Sequence, residues 1–116
     1  MTSRKETADY LLEQLGHVEE IRAKRMFGEF GIYAGDKFVA VLCDDELFIK
    51  ATAGGRAYFP EVIERAPFPG AKPWLFVPGD RWEEREWLCE FVEITARELL
   101  PVVPKRRARR LRPGSN

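Results

Sequence analysis

Between residues 21 and 50 the chain carries four short strand-like runs, at 21–27, 30–34, 38–43 and 46–50. They are separated by breaks of only a few residues, Gly28 to Glu29, Gly35-Asp36 and Asp44-Asp45. A parallel pair of strands needs a crossover of a dozen or more residues, and these breaks are far shorter. The spacing therefore dictates an antiparallel meander, with Gly35-Asp36 and Asp44-Asp45 as tight turns. Run 38–43, Phe-Val-Ala-Val-Leu-Cys, is apolar throughout, as suits a central strand. Run 21–27 carries Arg22, Lys24 and Arg25, as suits an exposed edge.

Helical periodicity frames the meander. Ala8, Leu11, Leu12 and Leu15 recur at helical spacing before Gly16, and Ser3-x-x-Glu6 matches a capping box, so a helix is predicted over 4–15. Thr52 reads as the N-cap of a short helix reaching Phe59, and Val62 and Ile63 anchor the stretch after Pro60. Pro67, Pro69, Gly70 and Pro73 make 66–73 a loop before a last strand at 74–77. Asp80 with Glu83 offers a second capping box, and Trp87, Leu88, Phe91, Val92, Thr95, Ala96 and Leu99 trace one apolar stripe as far as Pro101. The expected order is α-β-β-β-β-α-β-α. It implies a two-layer α+β domain, an antiparallel sheet of about five strands with its helices on one face. The face left without helices is then where any aromatic side chain becomes an interaction surface or a dimer interface.

Charge divides the chain into two parts. The 116 residues hold 19 basic and 19 acidic side chains, yet residues 105–112 read Lys-Arg-Arg-Ala-Arg-Arg-Leu-Arg. Removing those six cations leaves 13 basic against 19 acidic residues on 1–104, a net of −6. We therefore expect one folded domain at 1–104 and a disordered basic tail at 105–116. Lys105, Arg106, Arg107, Arg109, Arg110 and Arg112 are candidate contacts for a nucleic acid, nonspecific because no aromatic residue accompanies them. An inert, solubilising tail is the even-weighted alternative. No apolar run approaches the ~18 residues of a membrane span. The opening Met-Thr-Ser-Arg-Lys-Glu leads into a charged helical segment rather than a signal sequence, so a cytoplasmic protein with no membrane partner is expected.

Catalytic chemistry finds little foothold. His17, the single histidine, follows Gly16 just past a helix end, where an imidazole interacts favourably with terminal carbonyls. Cys43 and Cys89 lie in apolar contexts without C-x-x-C spacing and read as small buried hydrophobes. Asp44-Asp45-Glu46 reads as a solvated turn rather than a metal loop. Gly28-Glu-Phe-Gly31 and Gly54-Gly55 match neither phosphate-binding glycine pattern, and read as a strand turn or bulge and a flexible turn into a helix. No catalytic residue, cofactor or metal ligand is assigned, and a non-enzymatic protein is expected.

One segment is more specific. Arg25-Met26-Phe27-Gly28-x-x-Gly31-Ile32-Tyr33 resembles the N-terminal domain of the TfoX/Sxy family. The run from Phe38 to Lys50, then Arg56 and Phe59, continue the likeness, which spans roughly residues 8–100. Ala71-Lys-Pro-Trp-Leu75, Trp82 and Arg85-Glu-Trp-Leu88 resemble a subgroup of stand-alone members. The resemblance implies a two-layer α+β domain akin to secretion chaperones. It also implies kinship with bacterial regulators of competence for DNA uptake, whose second, helical domain is replaced here by the basic tail. No active site comes with it. Arg25, Met26, Phe27, Gly28, Gly31, Tyr33 and Lys50 are its motif positions. The implied function is a regulatory or adaptor domain acting through protein contacts, as a homodimer or with a protein partner. A nucleic-acid accessory protein using the tail is the alternative.

Overall fold

Each short break in the meander closes a hairpin. In the computed structural model, which describes residues 2–101, β1 (Ile21–Met26), β2 (Glu29–Ala34), β3 (Lys37–Cys43) and β4 (Glu46–Ile49) follow one another as antiparallel neighbours. Phe27 and Gly28 turn β1 into β2 with φ of 51° and 84°, and Asp44 and Asp45 turn β3 into β4 with φ of 55° and 61°. Left-handed residues at both turn positions match the right-handed twist of the flanking strands. The chain then forms helix α2 (Ala53–Tyr58), β5 (Ile63–Arg65) and β6 (Trp74–Val77). The sheet order is β1-β2-β3-β4-β6-β5.

The sheet therefore has six strands rather than five. The additional strand, β5, is three exposed residues in a stretch read only as an anchor. Three residues carry no measurable alternation. The strand exists because β6 offers it a ladder and because ion pairs hold its flanks, Arg65 to Glu46 at 3.0 Å and Arg56 to Glu64 at 2.8 Å.

Helices α1 (Lys5–Gln14), α2 and α3 (Arg85–Glu98) supply the apolar side of one sheet face. Leu11 of α1 and Leu15 at its C-terminal end, with Leu88, Phe91 and Val92 of α3, join Ile32, Leu42, Leu47, Ile49, Leu75 and Val77 in one core. The register shifts between Ile32, opposite Ala40, and Tyr33, opposite Phe38. Val39 is the extra residue of that bulge, so Val39 and Ala40 both enter the main core. Among the described residues no helix is long and apolar enough to cross a membrane.

Both predicted capping boxes are replaced by other contacts. Arg4, not Ser3, sits at the N-cap of α1 with no side-chain cap. The Ser3 hydroxyl instead accepts the Asp45 N–H at 2.9 Å and donates to Glu29 Oε1 at 2.7 Å, the nearer of two acceptors. Its backbone N–H bonds the Gly28 carbonyl at 3.1 Å. Ser3 thus ties the β1–β2 turn to the β3–β4 turn, and two hairpin ends outbid one helix end. Asp80 and Glu83 fall in a 3₁₀ turn at Gly79–Glu83, and α3 starts later, at Arg85, with Glu84 at its N-cap and again no side-chain cap. The cap on α2 forms as expected, with Thr52 Oγ1 accepting the Gly55 N–H at 2.9 Å.

Candidate interaction face

The sheet face without helices carries a second, smaller apolar cluster. Val41, Cys43 and Phe48 form its buried centre, with Phe38, Trp74 and Phe76 partly exposed around them. Alternation places them there. Phe48 and Phe76 face one another across β4 and β6, and their neighbours Leu47, Ile49, Leu75 and Val77 point into the main core. Cations cover the rings where helices do not. Lys50 Nζ lies 4.9 Å from the Phe38 ring centre and 5.9 Å from that of Trp74. Arg65 lies 4.5 Å above Phe76, and Arg22 4.5 Å above Tyr33.

The far end of the same face is open and apolar. Met26, Phe27, Glu29, Phe30, Val41, Cys43 and Phe68 line a groove of about 450 Å³. Phe27 stands fully exposed at its rim, in a left-handed conformation that a bulky side chain rarely adopts. Phe68, from the β5–β6 loop, is 51% exposed on the groove's other side. An exposed phenylalanine on a strained turn is the kind of backbone outlier that clusters at functional positions.

The motif residues meet here for the most part. Met26, Gly31 and Tyr33 lie on the helix-free face with Lys50, and Phe27 and Gly28 form the adjoining turn. Gly31 has a steric reason to be glycine. A Cβ there would sit 2.7 Å from Met26 Sδ and 3.1 Å from the Phe38 ring, so the side chains that cover it need its absence. Arg25 diverges from the others and lies over Phe30, at 4.6 Å, on the edge strand. The candidate nucleic-acid contacts Lys105, Arg106, Arg107, Arg109, Arg110 and Arg112 lie outside the described residues.

Other candidates take structural positions. His17 is exposed beyond α1. Cys43 forms the groove floor, where burial, reinforced by Glu29 and Asp44, pushes its thiol up to about 11. It is protonated at neutral pH and is therefore a poor nucleophile. Burial also raises the Cys89 thiol, whose sulfur donates to the Gln14 carbonyl at 3.3 Å. Gly54 and Gly55 lie inside α2, not in a turn before it. A Cβ on either would strike Glu98 and Ile94 or crowd Leu75 and Phe91, so close helix packing explains them without a phosphate. Among the described residues no cluster of His, Cys, Asp or Glu could hold a metal ion.

Phe68 is a contributor that the sequence does not single out, and Ser3, whose pattern suggests a helix cap, joins two hairpin turns instead. Phe68 stands among prolines and glycine in a stretch read as loop, and only its apolar character in that setting hints at a role.

Two comparisons bear on this geometry. The profile of the family described as TfoX N-terminal domain matches residues 13–99. A protein of Spirochaeta aurantia described as an uncharacterized 12.7 kDa protein in trpE 5′ region is 34% identical over 108 residues, covering 93% of this chain and 92% of its own.

Proposed function

This chain belongs to the TfoX N-terminal domain family, and from that premise we propose that it is a cytoplasmic, non-enzymatic regulatory domain that acts through protein contacts. Its first partner is a second copy of itself. The observation that carries this reading is the pairing of Phe27 with the groove beside it. Knob and groove are neighbours on one surface, so a two-fold axis near the β1–β2 turn sets each Phe27 against the other copy's groove. The groove lining is apolar except for Glu29, which suits a phenyl ring. Arg22 and Lys50, toward the other end of the face, line no part of this groove. The regulated process is the open part of the proposal; the kinship with competence regulators makes control of DNA uptake one process to examine.

Size-exclusion chromatography with light scattering tests the reading on the whole chain. Wild-type protein should pass from monomer to dimer with concentration, and Phe68→Ser should raise the dissociation constant about tenfold or more, as loss of a central aromatic contact does. A wild-type chain that stays monomeric into the millimolar range, or a variant that dimerises as before, overturns it.

A further inference from the structure

The strand register creates a row that no linear pass along the chain reveals. Arg22 faces Tyr33 across β1 and β2, and Tyr33 faces Phe38 across β2 and β3. Lys50 follows Ile49, which faces Leu75, so Lys50 stands opposite Trp74. The backbone N–H of Lys50 also bonds the Val39 carbonyl at 2.9 Å, next to Phe38. One line perpendicular to the strands therefore reads Arg22, Tyr33, Phe38, Lys50, Trp74 across five neighbouring strands. At the usual strand spacing it spans roughly 19 Å. The bulge at Val39 is what completes it, because it keeps Phe38 in register with Tyr33 on the helix-free side.

The row is half open to solvent. Tyr33, Phe38, Lys50 and Trp74 are partly exposed, and Arg22 is exposed. Tyr33 and Phe38 stack at 5.0 Å, and Trp74 meets Phe38 edge-on at 5.8 Å. Among the described residues no carboxylate pairs with Arg22 or Lys50, nor with Lys24 beside them on β1. Arg22 and Lys50 are held on aromatic faces, unneutralised, in a body whose residues 1–104 carry a net charge of −6. The local charge runs opposite to the charge of the whole domain.

We propose that this row is a binding surface for single-stranded nucleic acid. Tyr33 and Phe38 already stack on each other and carry Arg22 and Lys50 over them, so an unpaired base docks by stacking on the Arg22 guanidinium plane or by displacing a cation from its ring, while phosphates meet the same cations. An acidic peptide uses the cations but gives the rings no role. A duplex hides its bases and offers the row only phosphates. The surface adjoins the Phe27 groove, since the Gly31 position approaches both Met26 and Phe38, and Phe68→Ser separates the two roles because Phe68 lines the groove and not the row. It also differs from the basic tail, which has charge but no ring.

The test uses the full chain and a labelled oligothymidylate of about twelve nucleotides, followed by anisotropy and by tryptophan fluorescence. Binding should quench tryptophan emission, and Trp74→Phe should abolish the quench while leaving the thermal midpoint in place. The pair Arg22→Gln with Lys50→Gln should weaken binding about tenfold and flatten the salt dependence by about 1.4 in logarithmic slope. Absence of binding overturns the proposal. So does binding that ignores these substitutions and favours duplex equally, which assigns the contact to the tail. Equal affinity and equal quenching by polyglutamate also overturn it, because the face then reads charge alone.

Discussion

The two faces of this one sheet are both apolar, and they are finished in different ways. On the inner face, Leu11, Leu15, Leu88, Phe91 and Val92 close over Ile32, Leu42 and Ile49, and all of these side chains are fully buried or nearly so. On the outer face, Phe38, Trp74 and Phe76 are covered only in part, by Lys50 and Arg65. A fully buried large apolar side chain contributes about 1.5–3 kcal/mol, whereas a cation on an exposed ring contributes about 0.5–1 kcal/mol. The inner cover is part of the fold. The outer cover is weak enough for a partner to replace, and this separates the surface that makes the domain from the surface available for function.

The comparison breaks if the inner face proves dispensable. Phe91→Ala removes a ring that touches Phe59, Tyr58 and Trp87, and it should cost about 3–5 kcal/mol in denaturant unfolding. A loss under about 1 kcal/mol would mean that α3 does not close the core as described. On the outer face, Gly31→Val should cost about 1–3 kcal/mol by overpacking and disturb the Tyr33–Phe38 stack, visible as a change in near-ultraviolet dichroism. Phe27→Asn should move in the opposite direction, gaining about 1 kcal/mol because asparagine accepts the left-handed turn. A residue there for stability alone would show a loss.

The smallest effect concerns acid. Asp45 accepts the Arg4 backbone N–H, which with Thr7 and the Arg4 charge holds its carboxyl below the usual range despite some burial. A lowered folded value means that its stabilisation is complete above the ordinary carboxylate pKa and is lost as pH falls through the folded one. Asp45→Asn should therefore flatten the pH dependence of the thermal midpoint below about pH 4 and leave the slope near neutrality unchanged.

The hairpins and the three helices were legible in the sequence because two-residue turns and helical periodicity are local signals. Strand β5 was not, since three exposed residues draw their structure from β6 and from ion pairs remote in sequence. Ser3 shows the limit more sharply. Its local pattern favours a cap, but the fold brings Glu29, Leu42 and Asp45 to it, and these contacts prevail. The motif from Arg25 to Tyr33 falls for the most part on the helix-free face and its adjoining turn. How its members divide, with Met26, Gly31 and Tyr33 on one side and Arg25 leaning over Phe30 on the edge strand, needed the register.

Hydrogen exchange read by mass spectrometry at low and high protein concentration tests the division of labour most directly. Raising the concentration should slow exchange in segments 26–31 and 66–70, around Phe27 and Phe68, while α1 and α3 exchange at unchanged rates. Protection that appears on α1 or α3 instead, or exchange that ignores concentration everywhere, would contradict the assignment of the helix-free face as the surface through which this domain acts.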